Sequence, residues 1–455
     1  SGTIMSRTAL LLGLAAVLAG EALTGHAPSP LGGRFHKQPR PLRREGRIPQ
    51  ARLQAQALAK GEPLAALRGG GDDAAAAIVE YILALDVGTH ATVASIKFPG
   101  ASTATLVQND MSHLETPTAL SFRGKKIECG EIAADTPAMN AANQIAGYMP
   151  LLGPFRNELP PAFPLPIFKV APSARSGCTS AEVTFNGGAL EVPLEQAVAH
   201  QISTMQEYAH TQLKSHVDAG STTFEGRSVA LVVPSTFSDR QMHALTDAAS
   251  ISGYERSYLV PWHVAISQAY GERHKKDLLA DNAAEGGGRC VCLVDVGASC
   301  AAATVVEFRG LEGKVLSVEC TESAGAGCVD EILARHFEPE IDAQHGKGTC
   351  ESPKSRFRLR KACERLKKML STLDETRINV DGLLPESEVS IKYSRAKLTD
   401  IELIADMGER IRRVVERAIA KAGIAPQDLS SLEVVGGGSR IPFVLAAVQS
   451  GGGGG

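Results

Sequence analysis

Three consecutive glycines follow a short apolar strand in the sequence Leu432-Glu433-Val434-Val435-Gly436-Gly437-Gly438-Ser439-Arg440-Ile441-Pro442, and a helix is expected to begin directly after them. Because glycine has no Cβ, such a turn lets the backbone approach a ligand closely and point N–H groups at phosphate or sugar oxygens. Glycine turns are also common as plain connections between a strand and a helix. This turn therefore predicts a nucleotide site only if partner residues occur elsewhere in the chain.

The length and composition set the outer limits of the interpretation. The chain has 455 residues, which predicts two or more domains, because single cores rarely grow beyond ~250–300 residues. Hydrophobic residues make up 44% and charged residues 21%, with a formal net charge of −3. Without an excess of positive charge, we expect no nucleic-acid partner. The nine cysteines are odd in number and form no paired CxxC clusters, which favours reduced thiols over a disulfide framework or zinc site.

The first 79 residues differ from the rest of the chain. An apolar run over 9–19 is shorter than the ~20 residues of a membrane span, and we expect a signal-like targeting segment at 1–27 and no integral membrane segment in the mature chain. Residues 28–79 are basic and predict a disordered extension. A two-step organelle presequence and translated non-coding or cloning sequence remain open. The expected compartment is the secretory pathway (endoplasmic reticulum) or an organelle if the signal is real, and otherwise the cytoplasm.

Strands and helices alternate from residue 80 onward, and one pattern occurs twice. An apolar run over 80–87 ends in Asp86-Val87-Gly88-Thr89-His90, and a second strand follows over 92–98. The region 290–308 repeats this design around Asp295-Val296-Gly297-Ala298-Ser299. Two copies of a strand, a phosphate-sized turn and a second strand predict an internally duplicated α/β fold.

Apolar spacing predicts the remaining elements. Helices are expected over 194–213, 239–251, 358–373 and 395–422, the last stopped by Gly423. Strands are expected over 229–233, 377–380 and 388–393. These elements describe a two-lobed α/β protein that binds a nucleotide.

Five motifs carry a resemblance to a known family. They are Leu85-Asp86-Val87-Gly88-Thr89, Val232-Val233-Pro234-Ser235-Thr236-Phe237-Ser238-Asp239 with Ala269-Tyr270-Gly271, Asp295-Val296-Gly297, Ala362-Cys363-Glu364-Arg365-Leu366-Lys367-Lys368-Met369-Leu370-Ser371, and Val435-Gly436-Gly437-Gly438-Ser439-Arg440-Ile441-Pro442. In this order they resemble the nucleotide-binding domain of the seventy-kilodalton heat-shock chaperone family, over about residues 80–450. The helix motif is similar to the large, hundred-and-ten-kilodalton branch.

The resemblance implies the actin-like ATPase fold, in which two duplicated ribonuclease-H-like lobes surround a nucleotide cleft. The lobes are expected at 80–272 and 290–450, with a glycine-rich linker at 273–289 and a poly-glycine tail at 451–455. The second lobe is expected to be truncated, without its closing strand and helix, which predicts an apolar edge beside the glycine loop.

The resemblance also implies ATP or ADP with Mg²⁺ as ligands. Asp86 and Asp295 would hold the hydration shell of the metal, and Thr89 and His90 would donate to phosphate. The full set of implied nucleotide-contacting residues is Asp86, Gly88, Thr89, His90, Asp295, Gly297, Ala298, Glu364, Lys367, Lys368, Ser371, Gly436, Gly437, Gly438, Arg440 and Ile441. The structural alternatives are aspartates that cap turns and a charged helix face that is simply solvated.

Three departures from the family pattern put catalysis in doubt. Met149 stands where the family has a lysine beside the γ-phosphate, Trp262 where it has an acidic residue, and Ala302 where it has a further aspartate. None of these side chains can neutralise phosphate charge or accept a proton from water. We expect an ATP-binding chaperone module with weak hydrolysis, which serves as a nucleotide-exchange factor or holdase.

Two other functions remain open on the sequence. One is an active ATP-dependent folding chaperone whose catalytic groups lie at other positions within 143–153 and 259–263. The other is a gene fragment that binds nothing. The partners implied by the resemblance are a heat-shock chaperone of the seventy-kilodalton type and unfolded protein clients.

Overall fold

The computed structural model describes residues 4–5, 77–215, 222–282, 288–384 and 388–453, apart from positions 100, 102 and 161. Most of the predicted targeting segment 1–27 and of the basic extension 28–79 lies outside these residues. The strands are β1 Ile4–Met5, β2 Ala77–Val87, β3 Ala91–Lys97, β4 Thr105–Leu106, β5 Glu115–Pro117, β6 Ala119–Arg123, β7 Lys126–Cys129, β8 Gln144–Ala146, β9 Lys169–Pro172, β10 Thr179–Phe185, β11 Gly188–Pro193, β12 Thr222–Val233, β13 Arg256–Pro261, β14 Arg289–Val296, β15 Cys300–Arg309, β16 Glu312–Glu322, β17 Glu375–Val380, β18 Val389–Ser394 and β19 Ser431–Val435.

The helices of the described ranges follow the predicted alternation. They are α1 Glu131–Ala134, α2 Leu194–Lys214, α3 Asp239–Ile251, α4 Trp262–Arg273, α5 Lys275–Asn282, α6 Ala326–His345, α7 Pro353–Leu370, α8 Arg395–Thr399, α9 Glu402–Ala422 and α10 Pro442–Gly451. Short 3-10 turns lie at Ala138–Asn143, Met149–Leu151, Pro426–Asp428 and Gly437–Arg440. Of the helices described, none combines the length and apolar character needed to cross a bilayer.

Two mixed sheets repeat the same arrangement of strands. In the first sheet, in the order β13-β12-β2-β3-β4, β2 lies parallel to β12 and antiparallel to β3. In the second, in the order β1-β19-β14-β15-β16, β14 lies parallel to β19 and antiparallel to β15. The duplication predicted from the two hairpin motifs is therefore present in the topology, and it gives the molecule its two lobes.

Each lobe has its own apolar core, and a third core joins them. The first core packs β2 and β3 against α2 and α3, and the second packs β14 and β15 against α6, α7 and α9. The third lies around α4, where Trp262 and Tyr270 pack with Val232 of the first sheet and Leu293 of the second. This third core fixes α4 next to the space between the two hairpins.

The helix ends show why the sequence signals succeeded or failed. Ser238 caps α3 in a capping box with Gln241, and Gly423, at φ 72°, ends α9 in the left-handed conformation, as predicted. Helix α7 begins at Pro353, before the predicted 358, because the Ser352 hydroxyl accepts a hydrogen bond from the Ser355 N–H at 3.0 Å.

The single helix predicted over 395–422 is divided at Ile401, which is extended, into α8 and α9. Leu398 and Ile404 are both buried in the second core. In one continuous helix these two residues would point about 120° apart, given 3.6 residues per turn. The break allows both side chains to reach the same core.

Other boundaries also differ from the sequence prediction. The predicted linker 273–289 contains α5, and β2 begins at Ala77, inside the range predicted as a disordered extension. Gly451 is the buried last residue of α10, where an added Cβ would lie 2.6 Å from the Arg412 carbonyl oxygen. The start of the poly-glycine run is therefore part of the packed structure, since only glycine fits against α9.

The predicted uncovered edge beside the glycine loop is not observed. β1 pairs in parallel with β19, with Ile4 opposite Val434 and Met5 opposite Val435. An edge strand presents unpaired N–H and C=O groups, and a short added strand satisfies some of them.

Candidate functional site

The two hairpin turns have the same backbone geometry and face each other. Between β2 and β3, the Gly88 N–H donates to the Ala91 carbonyl oxygen at 3.1 Å, and between β14 and β15 the Gly297 N–H donates to that of Cys300 at 3.0 Å. The Thr89 and Ser299 hydroxyls, one from each turn, are hydrogen-bonded at 3.0 Å. The tips of the duplicated hairpins therefore touch across the space between the lobes.

A cleft lies behind this contact and brings together many of the residues singled out in the sequence. It encloses a cavity of about 70 Å³. Its lining includes the predicted nucleotide residues Asp86, Gly88, Thr89, Asp295, Gly297, Ala298 and Gly436. The departures Met149, Trp262 and Ala302 lie in the same lining. The positions that the family resemblance assigned to one site therefore lie together in the structure.

The three departures from the family pattern lie on three different elements. Met149, 2% exposed, begins a 3-10 turn and packs into the first core. Trp262 is the first residue of α4, directly after Pro261 at the end of β13. Ala302 lies opposite Asp295 in the β14–β15 pair. Each presents an apolar or neutral side chain to the cleft.

The charged side chains in the described lining of the cleft are all acidic. Its described lining contains the carboxylates of Asp86, Asp295 and Glu322 and no lysine, arginine or histidine. Burial, together with the nearby Asp295, raises the pKa of the Cys300 thiol to about 12, so this side chain is neutral. Glu322 forms an ion pair with Arg156 at 3.1 Å, and a phosphate that approached Asp86 and Asp295 would be favoured by a cation placed between them.

The two aspartates fit Mg²⁺ held through water. They come from opposite lobes and meet in one cleft, and Mg²⁺ retains several waters and needs few protein carboxylates. Within the described ranges no group of three or more potential metal ligands occurs. The donor set therefore fits a metal shared with a phosphate better than a cage made by protein alone.

Two of the three glycines in the loop pack against the second hairpin. At Gly436, with φ 84°, an added Cβ would lie 2.3 Å from Asp295 Oδ1, and at Gly438 it would lie 2.6 Å from Val296 Cγ1. At Gly437 an added Cβ would meet nothing within 4 Å. Gly436 and Gly438 are therefore required by packing against β14, and contact of the three glycines with a nucleotide remains a prediction.

The predicted adenine-side residues of α7 lie outside the lining of this cleft. Lys368 Nζ lies 2.7 Å from Glu364 Oε1, which is also 4.0 Å from His90 Nε2 of the first hairpin. Burial would raise the pKa of Glu364, but Lys361 and Lys368 outweigh it and lower the pKa to about 2. The contact between His90 and Glu364 shows that α7 faces the first lobe.

The remaining residues of the predicted set have structural partners. Buried Lys367 donates to Asp330 at 2.7 Å and to the Ala326 carbonyl oxygen at 2.9 Å, and Ser371 donates to the Lys367 carbonyl oxygen at 2.9 Å. Ile441 is buried in the second core, whereas Arg440 is exposed. Contact of these residues with a nucleotide remains a prediction.

The sequence interpretation missed several polar residues of the cleft. Ser235, Thr236, Gln241 and Ser323 line it together with the predicted residues. Ser235 stands within a motif that was used only for recognition, and nothing in the sequence around Ser323 marks it as a site residue.

Comparison with known proteins identifies the family. A family model described as "Hsp70 protein" matches residues 82–453. Heat shock 70 kDa protein 15 of Arabidopsis thaliana is 27% identical over 343 residues, which cover 75% of this chain and 39% of that protein. Heat shock protein 110 of Caenorhabditis elegans is 28% identical over 354 residues, which cover 76% and 43%. Heat shock protein hsp88 of Neurospora crassa is 26% identical over 345 residues, which cover 76% and 47%.

The chain spans less than half the length of each of these three relatives. One of them carries the name heat shock protein 110, in agreement with the predicted similarity to the large branch. With the family match running through both hairpins, α7 and the glycine loop, the chain belongs to the Hsp70 family.

Proposed function

We propose that the chain binds ATP or ADP with Mg²⁺ between its lobes and hydrolyses ATP slowly, as the nucleotide-binding part of a chaperone similar to the large heat-shock branch. One observation carries this proposal: Asp86 and Asp295 share a cleft with Met149, Trp262 and Ala302, and no basic side chain occurs in the lining that the structure describes. The groups that can hold a hydrated metal are present. Those that would stabilise a transferring phosphoryl group are replaced by neutral ones.

The metal has a defined part in this proposal. Held through water by Asp86 and Asp295, Mg²⁺ would supply positive charge beside the phosphate oxygens. Trp262 has no acid–base group that could orient an attacking water. Loss of a single stabilising donor costs ~10²–10³ in rate in other enzymes, so several losses together account for slow turnover.

Nucleotide binding would also change the distance between the lobes. Thr89 and Ser299, one from each lobe, line the cleft and are hydrogen-bonded to each other at 3.0 Å. A nucleotide whose phosphates lie between the two hairpins would separate these tips. Binding therefore selects one lobe position over another, and a partner surface that spans both lobes would respond to it.

This coupling suits a co-chaperone. In the role we propose, nucleotide sets the lobe angle at which the chain docks on a seventy-kilodalton heat-shock chaperone, and the chain promotes nucleotide exchange there or holds unfolded clients. Rapid hydrolysis is unnecessary for such a role, since binding alone fixes the lobes.

Calorimetric titration of the full chain tests the binding step. We expect heat on addition of ADP or ATP with Mg²⁺, and at least about tenfold weaker binding after chelation of the metal, because the cleft carboxylates then repel the phosphates. Absence of heat at millimolar nucleotide with Mg²⁺ would rule out the proposal. Equal affinity with and without the metal would rule out the assigned role of Asp86 and Asp295.

A further inference from the structure

Three hydrogen-bonding side-chain atoms in the cleft are buried without a partner in the described chain. They are the Ser235 hydroxyl, the Trp262 indole N–H and the Ser323 hydroxyl. Trp262 is 6% exposed and Ser323 is 2% exposed, and all three residues line the same cavity. Buried polar groups are normally hydrogen-bonded, and exceptions require an explanation such as a ligand or a bound water.

The three donors come from separate elements that converge on the cavity. Ser235 follows the end of β12, Trp262 begins α4, and Ser323 follows the end of β16. No single local turn therefore explains why all three lack partners. The feature they share is the cavity itself, which also contains Asp86 and Asp295.

Ser323 is held in an unfavourable backbone conformation. Its φ is 54°, in the left-handed region that non-glycine residues rarely adopt. Arg410 of α9 donates to the carbonyl oxygens of Glu322 at 3.1 Å and Ser323 at 2.9 Å, and so braces this turn. Strained residues braced in this way cluster at sites that bind ligands.

We infer that Ser235, Trp262 and Ser323 form a phosphate subsite made of neutral donors, which takes the terminal phosphate of Mg²⁺-bound ATP. The inference rests on the proposed nucleotide binding and adds to it the residues that distinguish ATP from ADP. Hydroxyl and indole groups can all donate to phosphate oxygens.

Two observations favour a terminal phosphate as the ligand of this subsite. The cavity is lined by the turns of both hairpins, including Gly88 and Gly297, which are the turns predicted to take phosphate. The donors share it with the two aspartates proposed to hold the metal, and α7 does not line it. Neutral donors are sufficient there because the metal already offsets the phosphate charge.

The only tryptophan of the chain reports on this subsite directly. Because Trp262 is unique, its emission monitors the cavity in the unmodified protein. The full chain is titrated with Mg²⁺ alone, Mg²⁺ with inorganic phosphate, Mg²⁺-ADP and Mg²⁺-ATP. We expect Mg²⁺-ATP to change the emission, and Mg²⁺-ADP to change it less, since only ATP places a phosphate against the indole.

Calorimetry on single variants supplies the second measurement. Ser235→Ala, Ser323→Ala and Trp262→Phe each remove one donor, and each is expected to weaken ATP by about threefold to tenfold while leaving ADP unchanged. The matched control is Ser95→Ala, which removes a buried hydroxyl that also lacks a partner but lies outside the cleft. It is expected to change neither affinity.

The outcomes separate this inference from the proposed function. If the unmodified chain binds neither nucleotide, both fail. If it binds both, and the serine variants weaken ATP and ADP equally or affect neither, the subsite is wrong and nucleotide binding stands; the unpaired donors then hold only water. The serine variants decide the question even if Trp262→Phe does not fold.

Discussion

At the scale of single residues, the proposed function depends on the side chains that surround Asp86 and Asp295. The sequence could predict that these residues meet, because each ends an apolar strand before a glycine in a duplicated hairpin. The family resemblance implied that Met149, Trp262 and Ala302 lie beside them. The sequence could not predict Ser323, because its place depends on a left-handed φ and on Arg410, a residue of a distant helix.

The glycine loop offers a direct test at this scale. We expect Gly436→Ala to lower the free energy of unfolding by about 1–3 kcal/mol, because the added Cβ meets Asp295 and Val296 at a left-handed φ. Gly437→Ala is the matched control and should change it by less than about 1 kcal/mol, since nothing lies within 4 Å. Urea denaturation measures both.

Equal losses of stability in the two variants would contradict this account of the loop. Packing against β14 would then not be the reason that glycine is required in the loop. Calorimetry on Gly437→Ala is informative as well, because a loss of nucleotide affinity without a loss of stability would assign Gly437 to the ligand.

At the scale of elements, sequence patterns predicted those whose signals are local. The hairpins, α2, α3 and the end of α9 at Gly423 follow from apolar spacing and glycine positions within a few residues. The break between α8 and α9 and the pairing of β1 with β19 depend on contacts between distant residues. No pattern within a short window contains that information.

The ion pair between α6 and α7 predicts a dependence of stability on pH. Burial raises the pKa of Asp330 from 3.8 to about 6, although Lys367 acts to lower it. Because the folded state binds this proton more tightly than the unfolded state, the stabilisation is present below about pH 4 and is lost as the pH rises through about 6.

Asp330→Asn should therefore reduce the loss of stability between pH 4 and pH 8, by about 2–3 kcal/mol relative to the unmodified chain. Urea denaturation across this range measures the difference. The control is Asp381→Asn, an exposed aspartate at 75% side-chain exposure, which should leave the slope unchanged. A variant slope identical to that of the unmodified chain would show that Asp330 is charged throughout.

At the scale of the whole molecule, the two lobes present opposed hairpins, and the described lining of the cleft between them has carboxylates and no basic side chain. Restoring the charged groups should restore turnover. We expect Met149→Lys combined with Trp262→Glu to raise ATP hydrolysis at least ~10²-fold, since the lysine places positive charge in the cleft and the glutamate can accept a proton from the attacking water. Met149→Leu with Trp262→Phe is the matched control and should leave hydrolysis slow. A folded charged variant with no gain would show that these positions do not face the phosphates.

Single-turnover hydrolysis tests the central claim most directly. The unmodified chain, in excess over Mg²⁺-ATP and at a concentration at which calorimetry shows binding, is quenched at intervals and the ADP formed is measured. We predict that bound ATP stays intact over the period in which a catalytically competent Hsp70 nucleotide-binding domain, run in parallel, converts its own ATP. Conversion at the same rate as that domain would contradict the account.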